Sequence, residues 1–195
     1  MDDEEARTRL LDAAETLFYA EGVQAVGMDR IRAESGVPLK RLYKVFPAKE
    51  ALVRGYLERR DRRWTASLRA AVGAAPGAAG AAPGDPVGAV FDWLAGWFTE
   101  PDFRGCAFLN AYGELGAGPA GVLDVVRRHK AELRGVLAEA VASRGTGPGR
   151  EELVDQLLIL VEGATAVAAL EPSRADRATP ARRAGAAAAV LVAAG

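Results

Sequence analysis

The 195 residues are 50% hydrophobic and 26% charged, a length and balance that suit one or two globular domains and exclude a disordered chain. Lys plus Arg number 25 against 26 Asp plus Glu, so a net charge of -1 excludes nucleic-acid binding through global basicity and leaves only a local patch for it. One cysteine, Cys106, and one histidine, His129, exclude an internal disulfide framework, a cysteine-only zinc site and a multi-histidine metal site. The opening MDDEEARTR is acidic where a signal peptide would be basic and then apolar, and the longest apolar run, Ala186 to Ala194, is nine residues, too short for a bilayer. The expectation is a cytoplasmic protein with no membrane partner, no metal and no cofactor.

Taken in order, the chain repeats the helical period and never holds a period of two. Leu10, Leu11, Ala14, Leu17 and Phe18 form one helix face, ended by Gly22. Met28 and Ile31 open a short second helix that Ser35-Gly36 breaks, and Leu39, Leu42, Tyr43 and Phe46 give a third. Pro47 is well placed to start a fourth helix, which runs to about Val72. Residues 73–86, GAAPGAAGAAPGDP, are low in complexity and read as a flexible connection. Apolar, aromatic segments follow from Val87 to Phe98 and from about Gly105 to Leu115. Leu123, Val126, His129, Leu133, Val136, Leu137 and Ala140 trace a long amphipathic helix, and GTGPG at 145–149 breaks the chain again. Leu153, Leu157, Leu160, Val161, Ala164 and Ala168 define the next helix, ended at Glu171-Pro172, and the last spans about Thr179 to Ala194. The expected fold is all-α, with about nine helices.

Chemistry concentrates between Gly27 and Leu52, where two short helices joined by a glycine turn make a helix-turn-helix pattern at about 27–46. Met28 and Ile31 pack the first helix, Val37 fills the space under the turn, and Leu42 and Phe46 anchor the second. Its other face then shows Lys40, Arg41 and Lys44. Between Arg30 and Lys49 six cations (Arg30, Arg32, Lys40, Arg41, Lys44, Lys49) stand against Glu34 alone, the local patch a phosphate backbone requires. The run ERRDRRW, Glu58 to Trp64, reads as a solvated face with i, i+4 pairing, because Arg59 lies roughly 15 Å along the fourth helix from Lys49.

The stretch from Arg7 to Leu52 resembles the TetR family of bacterial transcriptional repressors. The resemblance rests on LLDAAETLFYAEG in the first helix, Ile31, SGV at the turn, LY at positions 42 and 43, and FPAKE at 46 to 50. It implies a homodimer on double-stranded operator DNA, a DNA-binding domain over 4–52, a connecting helix over 53–72 and a divergent ligand-binding and dimerisation domain over 87–195. Tyr43 and Lys49 would hold phosphates, with Lys49 in the first turn of a helix. Leu39, Lys40, Arg41 and Lys44 would form the base-reading surface, Arg41 and Lys40 reaching guanine, or instead a phosphate or water. Gly27, Met28, Arg30, Arg32 and Pro38 complete the candidate interface. Three residues depart from the family pattern: Gly27 and Pro38 where Ser or Thr is usual, and Arg32 where a small residue is usual.

Seven aromatic residues, Phe91, Trp93, Trp97, Phe98, Phe103, Phe108 and Tyr112, fall close together in the second half. RGCAFLNAYGEL resembles the C-terminal domain of one TetR subgroup. Trp93, Trp97, Phe98, Phe103, Cys106, Phe108, Asn110, Tyr112, His129, Gln156 and Leu160 are the candidate lining of an effector pocket, or plain core. His129, on an apolar stripe, more simply makes a structural hydrogen bond. Cys106 and His129 have no spacing that supports a nucleophile and base, so no enzyme is expected. The last two helices present small residues suited to a homodimer interface. Two functions follow: a repressor released from its operator by a small hydrophobic or aromatic ligand, or a regulator with no small-molecule inducer that responds to a protein partner.

Overall fold

The computed structural model describes residues 1–73, 84–116, 120–142 and 149–194, and every regular element among them is helical. The helices are α1 (Asp3–Glu21), α2 (Met28–Ser35), α3 (Leu39–Val45), α4 (Lys49–Gly73), α5 (Pro86–Phe98), α6 (Ala107–Leu115), α7 (Ala120–Ala142), α8 (Arg150–Leu170) and α9 (Ala178–Ala194). Contacts divide the chain into two units, one of Met1–Arg63 with Ala107–His129, the other of Trp64–Cys106 with Lys130–Gly195. Both α4 and α7 contribute to each unit, and α6 clusters with the N-terminal helices rather than with residues 87–195 as a whole. The expected loop at 73–86 lies largely outside the described residues; Gly73 closes α4, Asp85 caps α5 and Pro86 opens it. Of the GTGPG break only Gly149 is described, with φ +89 before α8.

In the first unit, the Asp2 carboxylate caps α1 by accepting from the Glu5 N–H at 2.7 Å, and Asp3, Glu4 and Glu5 sit at the positive end of the helix dipole. Leu10, Leu11, Ala14, Leu17 and Phe18 are buried, together with Ile31, Val37, Leu42, Phe46, Leu52 and Tyr56 from the next three helices and their turns. Full burial of one such side chain is worth about 1.5–3 kcal/mol, which is why short α2 and α3 persist at a length that is marginal in isolation. Gly55 lets α4 approach closely: a Cβ there would lie 3.1 Å from Phe46 Cε1 and 3.3 Å from Leu11 Cδ2. The helix begins at Lys49 rather than at Pro47, since the Ala48 carbonyl accepts from the Leu52 N–H and leaves proline outside the first turn.

The ERRDRRW run is a solvated face only in part: Arg62 and Arg63 are exposed and Glu58 makes an i, i+4 pair with Arg54 at 3.9 Å, but Arg59 and Arg60 turn inward. Arg59 is only 9% exposed and donates to Asp12 at 2.7 Å and Glu15 at 2.8 Å on α1, while Arg63 reaches Glu15 at 3.1 Å. Arg60 stacks its guanidinium 3.8 Å above the Tyr19 ring. These cations fasten α4 to α1; their partners lie more than forty residues away in sequence, beyond any i, i+4 rule. Two further ties close the unit. His129 is buried, with Nδ1 2.8 Å from Asp61 Oδ1 and its ring stacked 3.6 Å from that of Phe108. Glu114 at the end of α6 accepts from the Gln24 N–H at 2.7 Å, and Gln24 Nε2 donates back to the Glu114 carbonyl.

The second unit packs α5 against α8 and α9. Its core includes Val90, Phe91, Leu94, Phe98, Leu133, Leu137, Leu157, Val161, Ala184 and Ala188. The Asp85 carboxylate caps α5 through the Gly88 N–H at 3.1 Å. By length and composition α8 is apolar enough to cross a bilayer, which counting uninterrupted apolar runs does not reveal. It nevertheless carries Asp155 and Glu162 in ion pairs with Arg134 (2.7 Å) and Lys130 (2.6 Å) and buries Val154, Leu157, Val161, Ala164 and Ala168 in the unit.

Candidate nucleic-acid interface

The interface is built by a turn that only a few residues could make. Gly36 ends α2 in the left-handed region, φ +66 and ψ 13, and its N–H donates to the Arg32 carbonyl at 3.1 Å. Ser35 Oγ accepts from the Val37 N–H at 3.3 Å, and Val37 is buried under the turn. Pro38 precedes α3 as its N-cap, and its carbonyl accepts from the N–H groups of Arg41 and Leu42, both at 2.9 Å. The missing N–H of proline therefore costs the helix nothing at this position. Gly27 caps α2 in extended conformation without a side-chain hydrogen bond.

With Leu42 wholly buried, the seven-residue helix α3 has only one orientation, and it turns Leu39, Lys40, Tyr43 and Lys44 outward. Tyr43 is 45% exposed, far more than an apolar ring needs to be if it were packing alone. Met28 is half-buried, and Arg30 and Arg32 are exposed on α2. Lys49 stands in the first turn of α4 and donates to the Gln24 carbonyl at 3.4 Å. Helix, turn and helix thus bring the sequence-selected cations into one unit.

The electrostatics differ from the simple charge count. Arg30 makes two bonds to Glu21, at 2.6 and 2.7 Å, and Arg32 lies 3.9 Å from Asp29. Arg41 Nη1 and Lys44 Nζ both reach the Asp3 carboxylate, at 2.7 and 2.5 Å. The hydrogen bond from Lys44 holds the Asp3 carboxyl below its ordinary range, with the charges of Lys44 and Arg41 adding to this and desolvation opposing it. Lys40 makes no ion pair among the described residues. Three carboxylates outside the twenty-residue window thus sit on four of its six cations. Asp3, Glu21 and Asp29 escape a windowed count; the signal that could find Asp3 is the acidic run at the front of α1.

The candidate effector residues divide between the units. Phe108 and His129 are buried in the first, where Asn110 and Tyr112 are exposed on α6. In the second, Trp93 and Trp97 stack at 5.7 Å and 25°, one turn apart on α5. Trp64 meets both edge-on, at 5.0 and 5.5 Å, and Phe103 closes on Trp97 and Phe98, each at 5.0 Å. Half-buried Cys106 has Sγ 3.4 Å from Lys130 Nζ. Gln156 donates to Glu152 at 3.4 Å, and Leu160 is half-buried against the core.

A family model described as bacterial regulatory proteins, tetR family, matches residues 10–56. An uncharacterized HTH-type transcriptional regulator of Mycobacterium tuberculosis is 40% identical over 58 residues, a match covering 30% of this chain and only 29% of that protein. E. coli NemR, in its reduced form, shares the fold at a TM-score of 0.78 with 19% identity, over 95% of this chain and 96% of that one. A TetR-family transcriptional regulator from Streptomyces coelicolor is 34% identical in sequence, with a TM-score of 0.80 over 97% of this chain and 95% of the other. A helix-turn-helix with an outward-facing second helix, joined to a helical remainder that matches this relative almost end to end, means that the chain belongs to the TetR family of DNA-binding transcriptional regulators.

Proposed function

We propose that the protein acts in the cytoplasm as a homodimeric repressor that leaves its operator when a small hydrophobic or aromatic ligand binds. The observation that carries the reading is the split of α3 between buried Leu42 and the exposed set Leu39, Lys40, Tyr43 and Lys44. In each subunit α3 enters a major groove, Arg41 or Lys40 donates to guanine, and Tyr43 and Lys49 hold phosphates. Exposed apolar side chains on α8 (Ile159 at 70%, Val167, Leu170 at 85%) and Val190 on α9 support a two-fold contact with a second copy. Pairing must set the two recognition helices about 34–36 Å apart to meet successive grooves. Ligand release then needs a coupling free energy of only ~1–3 kcal/mol between effector and operator. The aromatic cluster of Trp64, Trp93, Trp97, Phe98 and Phe103, with Cys106, Gln156 and Leu160 half-buried in the same unit, supports such a ligand.

A second reading is favoured by the same cluster: its rings already fill one another's contacts at 5.0–5.7 Å, as in a plain core, which suits a regulator that answers a protein partner instead. Selection of duplexes from a random pool tests the operator claim; a palindrome with one-turn half-site spacing is expected, and enrichment of no sequence refutes it. Thermal melts against a metabolite collection separate the two readings, since a bound effector raises the melting temperature by mass action.

A further inference from the structure

Resting on the DNA-binding reading above, we propose that Asp3 is an internal competitor of DNA phosphate, which holds Arg41 and Lys44 and so weakens binding to duplexes of arbitrary sequence. The two carboxylate oxygens engage different cations, Oδ1 with Arg41 and Oδ2 with Lys44, as two non-ester oxygens of one phosphate could. Both cations belong to α3, three residues apart, so a single anion bridges them. The neighbouring acids do other work: Asp2 caps α1 and Glu5 pairs with Arg9 at 2.7 Å. Asp3 alone of the acidic run bonds to the recognition helix among the described residues.

A duplex that offers only backbone must exchange one oxyanion for another at these two side chains. It must also tolerate the displaced carboxylate beside its own phosphates. The exchange yields little, because non-specific binding consists almost wholly of such phosphate contacts. The fold does not depend on the bridge. Asp3 and Lys44 are exposed and Arg41 is half-buried at the surface, and ion pairs so open to solvent contribute little to stability. The docking of α3 is secured by buried Leu42 and Phe46.

The test uses the full chain and a fluorescently labelled duplex of random sequence, titrated by anisotropy at several salt concentrations. Asp3→Asn is expected to bind about two- to fivefold more tightly than wild type. Its log affinity should fall more steeply with log salt, by about one unit of slope, because two freed cations gain phosphate contacts that one carboxylate had offset. Glu4→Gln removes the same charge from the same helix end and should give less than half the gain. Asp3→Ser should reproduce the Asp3→Asn result should the amide disturb the fold. Wild-type affinity and slope in both Asp3 variants overturn the proposal, as does an equal gain from Glu4→Gln, which would mean general charge rather than this bridge. If no form binds any duplex in dilute salt, the DNA-binding reading itself falls, and the proposal with it.

Discussion

At the scale of single residues, each side chain of α3 has one of two tasks. Leu42 is committed to the core, and truncation to alanine should cost about 2–5 kcal/mol of stability in urea unfolding. Arg41→Ala and Tyr43→Ala should instead leave the melt near wild type and weaken operator binding by about 1–3 kcal/mol, measured by anisotropy. Lys40, with no ion pair among the described residues, is the side chain readiest to meet the duplex; Lys40→Ala should relax specificity at one base where it reads guanine, or lower the salt slope by about one where it meets a phosphate. The Asp3 bridge adds a pH signature. A carboxyl held low in the folded state stabilises above its unfolded value and loses that contribution as pH falls through the depressed one. The bridge contributes little to the fold, so the signature is read on the carboxyl itself: Asp3 should titrate below the ordinary aspartate range by NMR in wild type, and closer to it once Lys44→Ala removes the hydrogen bond.

At the scale of elements, three ties build the first unit from helices distant in sequence. Arg59, Arg60 and Arg63 bind α4 to α1, His129 binds α7 to Asp61 of α4, and Glu114 binds α6 to the turn after α1. Arg59→Ala should therefore reduce stability by about 1–2 kcal/mol, a modest figure because Asp12 stays largely exposed and Glu15 keeps Arg60 and Arg63. Were the side chain solvated, the melt would not move. Any loss of DNA affinity in this variant would come from a loosened α4 and not from a lost phosphate contact. The α2–α3 turn is the other fixed point: Gly36→Ala must hold φ +66 with a Cβ and should cost about 1–2 kcal/mol. Its expected signature is a lowered melting temperature with binding recovered at low temperature.

At the scale of the whole molecule, the exposed apolar side chains of α8 and α9 are where the proposed two-fold contact can be tested. Ile159→Asp with Leu170→Asp should shift the protein from dimer to monomer in light scattering, at little cost to the fold of either unit. Operator affinity should then drop by at least about tenfold, because two half-sites are no longer engaged together. A dimer that persists in this double variant would move the contact elsewhere.

The local signals were strong enough for the sequence alone to determine the helices, the helix-turn-helix and the family. Helical period, Gly22, Gly36 and the SGV–LY–FPAKE spacing act within a few residues of one another, and backbone geometry and burial of Ile31, Leu42 and Phe46 obey them directly. Aromatic spacing on α5 likewise placed Trp93 and Trp97 together. Only the tertiary structure decided which charges are spent on one another. Arg59 looks solvated until Asp12 and Glu15 arrive from α1, and the cationic patch looks unopposed until Asp3, Glu21 and Asp29 close on it. An ion pair carries no periodic trace along the chain, because it needs only two side chains to meet in space, whereas a buried helix face must repeat its pattern every turn.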